Sequence, residues 1–343
     1  MRTEKFLGIK TCVELQQLSS YPGIDRLTDQ QMELQPPDAH WILLRQADPN
    51  SNQWFLVGRC SLWWKKVPAY GGERVGLVGH YAVEDAAAGD RLLNQACQQL
   101  TEQGCTLAIA PIDGNTGQNY RFVVDAAMDH QPLQPPFFLE PNHPQDWVNH
   151  LLTAGFTPLT TYYSGINSNL SYLDPAVACI QQRLTQRGIH IRPARLDNLE
   201  AILTEIYEVA IRSFRRNFLY SQPSSSGFVD QYRALLPYIK PEFVLLAKQS
   251  NRLVGFLLAM PDWLQAQRGE TIYTIIIKTV AVLPERAYAG LGHWLVAHCQ
   301  QLAHQLGYQR AIHALMHEAN PSRNLSDRYA QPFRRYALFS KPL

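Results

Sequence analysis

The chain has no Cys-x-x-Cys pair, no low-complexity tract, no apolar run long enough to span a bilayer and almost no net charge. Each absence excludes something. Its six cysteines, at 12, 60, 97, 105, 179 and 299, lack the spacing of zinc ligands or a redox motif. Cys97, Cys105 and Cys299 fall in apolar patterns and read as small core residues. Met1-Arg-Thr-Glu-Lys-Phe6 holds no hydrophobic signal core, so a soluble chain in a reducing cytoplasm is expected, with no membrane partner. Thirty-one basic residues against 29 acidic ones leave +2, which gives no general drive onto nucleic acid. Trp63-Trp64-Lys65-Lys66 mixes aromatic and basic residues, but packed tryptophans beside solvated lysines explain it more simply. Arg212, Arg215 and Arg216 sit where a helix ends, where cations complement the macrodipole.

What is present is a strand–turn–helix unit between Thr271 and Gln305. Thr271, Ile272, Thr274 to Ile277, Thr279, Val280 and Val282 are dense in β-branched residues on both faces, the mark of a central strand. Pro284 ends it, having no N–H for the ladder. Leu291, Leu295, Cys299, Leu302 and Leu306 then recur at helical spacing, with Gly307 at the helix end and a further strand from Ala311 to Met316. Between strand and helix stands Gly290-Leu291-Gly292. A helix start carries unpaired N–H groups and the positive end of the dipole, and glycines allow an anion to come close. Two nucleotide fingerprints fail here: position 295 is Leu rather than a third glycine, and His293-Trp294 replace the Lys-Ser/Thr of a phosphate loop.

The segment Val280-Ala281-Val282-Leu283-Pro284, five residues, then Gly290-Leu291-Gly292 resembles the cofactor-binding segment of the GNAT acetyltransferase superfamily. The resemblance implies a seat for acetyl-CoA or another acyl-CoA on Val280, Ala281, Val282, Arg286, Ala287, Tyr288, Ala289, Gly290, Leu291, Gly292 and His293. One position departs: the family carries Arg or Gln three residues before the first glycine, and this chain has Ala287, with Arg286 one residue early. The order of elements fits as well. A strand at 189–195 precedes a helix at 196–214, with Asp197 near its start as a cap or first-turn charge. A helix at 228–238 and a hairpin of 243–248 with 253–259 follow. A helix at 321–329 and a strand at 334–339 close the chain.

The first half echoes this unit. Val75–Val83 reads as a strand, 87–103 as a helix capped by Gly104, and 106–110 as the next strand. The intervening turn, Glu84-Asp85-Ala-Ala-Ala-Gly89-Asp90, is acidic and would repel a diphosphate. At 343 residues, two domains are comfortable. The expectation is an α/β protein of mixed sheets: two tandem GNAT-like domains, each a mixed, mostly antiparallel sheet flanked by helices. A degenerate copy spans 1–172, a connecting helix starting at Asp174-Pro175 spans 173–188, and an acyl-CoA-binding copy spans 189–343. Residues 131–137, rich in proline, read as a rigid extended loop.

For the chemistry, the resemblance implies acyl transfer to an amine, with a strand N–H near Val280 or Val282 polarising the thioester carbonyl. The strand offers no carboxylate between Thr271 and Leu283, so His317 and Glu318 become the candidate bases, His317 because it titrates near neutrality. Glu318 reads equally as a solvated loop end, and His313 as a core residue. Asn320 and Ser322 match the family's position at the pantetheine arm, and Tyr329 is the candidate proton donor to the thiolate. Arg334-Arg335-Tyr336 is expected to face the cleft or solvent. An N-acetyltransferase acting on a small-molecule or peptide amine, with a homodimer allowed, is the leading reading. A non-catalytic acyl-CoA sensor or scaffold is the alternative. Transfer from aminoacyl-tRNA is disfavoured by the modest charge.

Overall fold

A computed structural model describes residues 4–8, 19–20, 24, 27–48, 52–126, 133–195, 199–320 and 322–343. Asp197, Pro321, Cys12 and the start of the 131–137 loop lie outside them, as does the side chain of Ser322. In chain order the first half comprises β1 (Glu4–Gly8), β2 (Ser19–Ser20), α1 (Asp29–Leu34), β3 (Ala39–Gln46), β4 (Trp54–Trp63), β5 (Val75–Val83), α2 (Ala86–Glu102), β6 (Leu107–Ala110), β7 (Phe122–Asp125), α3 (Asp146–Thr153) and β8 (Thr157–Asn167). The second half opens with α4 (Pro175–Gln186), β9 (Ile189–Pro193), α5 (Leu199–Phe214), α6 (Ser225–Leu235), β10 (Val244–Gln249) and β11 (Arg252–Pro261). It continues with α7 (Trp263–Gln267), β12 (Thr274–Val282), α8 (Leu291–Gln305), β13 (Arg310–His317), α9 (Ser322–Ser326) and β14 (Gln331–Pro342).

Local sequence explains most of these. Asp174 accepts from the N–H of Ala176 and Pro175 fills the first turn, so α4 starts where the Asp-Pro signal places it. Helices α2 and α8 both end before a glycine at positive φ, Gly104 at 76° and Gly307 at 87°. The closing helix is shorter than expected, ending at Ser326, so Tyr329 lies beyond it.

The strands run β1-β3-β4-β5-β6-β14-β8-β13-β12-β11-β10-β9, with β2 on β4 and β7 on β14. The expected mixed, mostly antiparallel, helix-flanked architecture is observed; the parallel pairs are β5 with β6, β12 with β13 and β2 with β4. What sequence patterns did not indicate is how the halves join. β8, the last strand of the first half, lies against β13 of the second, and β14 lies against β6 of the first. Each half therefore lends its final strand to the other, and β8 and β14 pair along the seam. The two halves repeat one further feature. In each, the central strand carries one extra residue against its antiparallel neighbour, near His80 in β5 and at Lys278 in β12.

A core beneath β9 to β13 holds Phe243, Phe256, Ile275 and Leu295; a second, under α2, holds Leu92, Leu100 and Phe339. At the seam, Arg334 and Tyr336 are buried and both bond Glu140, rather than facing cleft or solvent. Arg335 alone of that trio reaches the surface, paired with Glu318 at 3.2 Å. A buried charge needs a buried partner, and the alternation of β14 turned these two side chains inward.

Two buried histidines predict acid lability. Burial pushes His313 down to about 4 and His40 down to about 3, and neither has a carboxylate against it. Both are neutral in the fold, whereas the unfolded chain takes up a proton below its ordinary value near 6.5. Stability is thus full above that value and declines as pH falls toward the folded-state values, by about 2 kcal/mol per histidine at pH 5. Urea unfolding should give a free energy lower by about 4 kcal/mol at pH 5 than at pH 7.5. Equal values at the two pH settings would show that these imidazoles are not held neutral.

Candidate active site

β12 and β13 run side by side only from Thr274 opposite Arg310 to Ile277 opposite His313. Beyond that point two irregularities force them apart. Lys278 is the extra residue of β12, and β13 breaks register with β8 between His313 and Met316, with Leu315 at a φ of 57°. The gap opens into a cavity of about 760 Å³. Its walls are β12 from Ile277 to Val280, β13 from His313 to His317, the loop joining α5 to α6, and residues 115–121 from the first half.

Val280 and Val282 share one side of β12. The N–H of Val282 reaches Ser213 Oγ at 3.3 Å instead of β11, so alternation also directs the N–H of Val280 away from β11, toward the gap. Val282 is thereby removed as a free donor, and Ala281, one residue off, turns its backbone to β11. Val280 keeps its N–H turned toward the gap.

The bend after β12 offers an anion seat at one edge of the cavity. Gly290 takes φ 86° as the N-cap of α8, and no side chain caps that helix. The N–H groups of its first turn thus have no side-chain acceptor. Arg286, Ala287 and Ala289 are exposed, so the bend is open. A Cβ on Gly292 would lie 3.2 Å from Leu325 and 3.8 Å from Val280, which ties the helix start to two cavity residues. Three predicted seat residues act through backbone only or not at all. Tyr288 is buried with its hydroxyl on Gln249, Leu291 is fully buried, and His293 has its Nε2 buried without a partner. Two connector cations lie at this bend: Arg187 bonds the carbonyl of Ala287 at 2.9 Å, and Arg183 bonds that of Ala289.

Of the predicted proton carriers, His317 lines the cavity. Its Nδ1 accepts from the N–H of Ala319 at 3.1 Å, which leaves the proton on Nε2, facing Thr160 Oγ1 at 2.8 Å. Burial and the charge of Arg121 lower its pKa, so it is a neutral ring with both nitrogens engaged, stacked on Phe218. Glu318 is outside the cavity wall, held by Thr161 and Arg335. In this arrangement both imidazole nitrogens are engaged, and the carboxylate lies outside the cavity wall. Tyr329 also lies outside the wall; its buried hydroxyl has no partner and burial pushes it up to about 12. Ser326 is a wall residue whose hydroxyl is fully buried and likewise without a partner. Asn320 lines the cavity and donates to Asn217 at 3.2 Å.

Sequence reading missed Lys278. It stands at the bulge, lines the cavity and meets no carboxylate among the described residues. Burial, then the charge of Arg121, pushes it down to about 8. Its signal in the sequence is one charged residue inside Ile275-Ile-Ile-Lys278-Thr-Val280, an amine where a base is more often a carboxylate. Arg121 was missed as well, since it reaches the cleft from the other half.

The corresponding place in the first half is filled. Asp85 caps α2 by accepting from Ala88 N–H at 2.7 Å, and Arg45 neutralises Glu84 and Asp85. A Cβ on Gly79 would lie 2.2 Å from the carbonyl of Ile112, and Asp113 bonds the N–H of His80, so no gap opens between β5 and β6. Among the described residues no helix is long and apolar enough to cross a membrane, and no acid, His or Cys group is arranged for a metal.

Residues 203–328 match the Acetyltransferase (GNAT) family. No curated protein matches the chain in sequence. Solved structures share its fold. One is a glucosamine N-acetyltransferase region in a fungal multi-domain GH3 β-N-acetylglucosaminidase, at 14% identity and TM-score 0.54, with 99% of this chain spanning 38% of that one. A tandem GNAT protein from the clavulanic acid biosynthesis pathway aligns at 11% identity and TM-score 0.52, covering 99% of this chain and 98% of that one. A GCN5-related N-acetyltransferase from Kribbella flavida aligns at 13% identity and TM-score 0.50, covering 100% and 71%.

Proposed function

We propose that this chain, which carries a GNAT acetyltransferase domain at 203–328 within a tandem GNAT fold, transfers an acyl group from acyl-CoA to a primary amine. The observation that carries the reading is the joint presence of an uncapped helix start at Gly290 and a cleft opened by the bulge at Lys278. The division into 1–172, a connector at 173–188 and an acyl-CoA-binding unit at 189–343 is part of this proposal.

The bound thioester supplies the acyl group. The first-turn amides of α8 would hold its diphosphate, and Asn320 and the N–H of Val280 would meet the pantetheine arm and the carbonyl. The acceptor's nitrogen attacks the carbonyl carbon, the carbon–sulfur bond breaks, and the acceptor's surplus proton must leave. Lys278, of which a pKa of about 8 leaves only about a tenth neutral at pH 7, takes that proton in this neutral form, directly or through water. The leaving thiolate needs a proton in return, and Ser326 is a wall hydroxyl without a partner that could give it. His317 serves to fix β13 through Thr160 and to floor the cleft.

Calorimetry with acetyl-CoA, followed by thiol release over a panel of amines, tests this reading. Binding with release on at least one amine is expected. Binding without release on any amine would favour the sensor, and no binding would overturn both.

A further inference from the structure

The cavity wall includes the cations Lys66, Arg121 and Lys278, and among its described residues there is no aspartate or glutamate. Composition does not explain this, because the whole chain is nearly balanced at 31 basic and 29 acidic residues. Arg121 is the sharpest case. It is 7% exposed, its guanidinium lies 3.8 Å from the ring centre of Tyr120 and 4.4 Å from that of Tyr162, and one nitrogen donates to the carbonyl of Leu315 at 3.0 Å. Its Nε has no partner and no carboxylate pairs with it among the described residues. Stacking on two aromatic rings offsets part of the cost of burying a guanidinium and fixes its plane, but it satisfies no N–H. A buried, oriented and unpaired arginine beside an open cavity is set to receive an anion from outside, and the nearby Lys278 adds a second positive charge that an anion would relieve.

The anion is not assigned to the acyl donor. Its diphosphate seat follows β12, and the arginines there are Arg183 and Arg187 of α4, whereas Arg121 comes from the first half and touches β13 beyond the parting of the strands. We propose that the acyl acceptor is an amine carrying a carboxylate, a free amino acid in chemical class, with the carboxylate on Arg121 and the amine facing Lys278. This rests on the transferase reading and narrows it: polycationic amines meet repulsion in this cleft.

The test compares matched acceptors with acetyl-CoA as donor: lysine against lysinamide, ornithine against putrescine, glutamine against glutamine amide. A kcat/KM at least about tenfold higher for the carboxylate member is expected, the scale of one charge-assisted hydrogen bond. Arg121→Gln should bring that ratio toward one, chiefly through KM. Equal or better turnover of the amides and the diamine in the unaltered protein would overturn the inference while leaving the transferase reading intact. So would an Arg121→Gln variant that loses CoA affinity in calorimetry but keeps the ratio, since the guanidinium would then serve the donor. Silence on every acceptor despite CoA binding would instead sink the transferase reading, and this inference with it.

Discussion

Lys278→Met is expected to lower kcat/KM by about a hundredfold to ten-thousandfold, the usual contribution of a general base, with CoA affinity nearly unchanged. The argument is electrostatic. A lysine in water keeps its proton until about pH 10.4 and is useless as a base at neutrality. At the bulge, burial removes hydration from the charged form and Arg121 repels it, so the amine is released near pH 8. The base works only when deprotonated, so kcat/KM of the native protein should climb as pH rises through about 8. In the methionine variant that limb should vanish, leaving only the rise set by the acceptor's own amine. Methionine conserves the stem's bulk and removes a desolvated charge, so thermal stability should hold or increase slightly. A variant with native kcat/KM and the same pH limb would show that Lys278 merely lines the wall.

The second large effect concerns the donor seat. Gly292→Glu should weaken CoA binding by more than about a hundredfold, the loss of two or more charge-assisted hydrogen bonds, while the fold is retained, the close approach of the new Cβ to Leu325 offsetting the gain from an acidic first turn. The carboxylate enters the first turn of α8, where acidic residues favour the helix, and claims the N–H groups and the space a diphosphate would use. Gly290 is the poorer site for this experiment. Its φ of 86° strains any side chain, so a substitution there would disturb folding and binding together. The first half provides an internal precedent: Asp85 occupies the equivalent helix start and leaves no room for a ligand anion. Unchanged CoA affinity in Gly292→Glu, measured by calorimetry, would place the donor elsewhere.

Much of this was legible before any coordinates. The central strand, the helix after it, the connector beginning at Asp174-Pro175 and the echo at 75–110 rest on local patterns, β-branched density and capping chemistry, that the fold does not override. The helix start at Gly290 was legible for the same reason, because its glycines mark it. What failed depends on distant contacts. Whether the N–H of Val282 is free is decided by Ser213, and whether Tyr288 faces out is decided by Gln249. His317 looked like a base by residue type, yet Ala319 and Thr160 fix its proton. Arg121 and Lys278 form one electrostatic unit although far apart in the chain, and no periodicity announces that. The lending of β8 and β14 was equally silent, because either strand's pattern suits an antiparallel neighbour from either half.

That reciprocal loan makes the two halves complementary fragments rather than separable modules. A polypeptide stopped at residue 172 would carry β8 without β13 or β14 beside it, and one begun at 189 would carry β14 with neither β6 nor β8. Each piece would expose raw sheet edges, prone to clumping until its counterpart arrives. Produced apart, they would recover the cleft by colliding in solution, at a pace set by concentration; joined by the connector, the same closure is intramolecular and no longer depends on dilution.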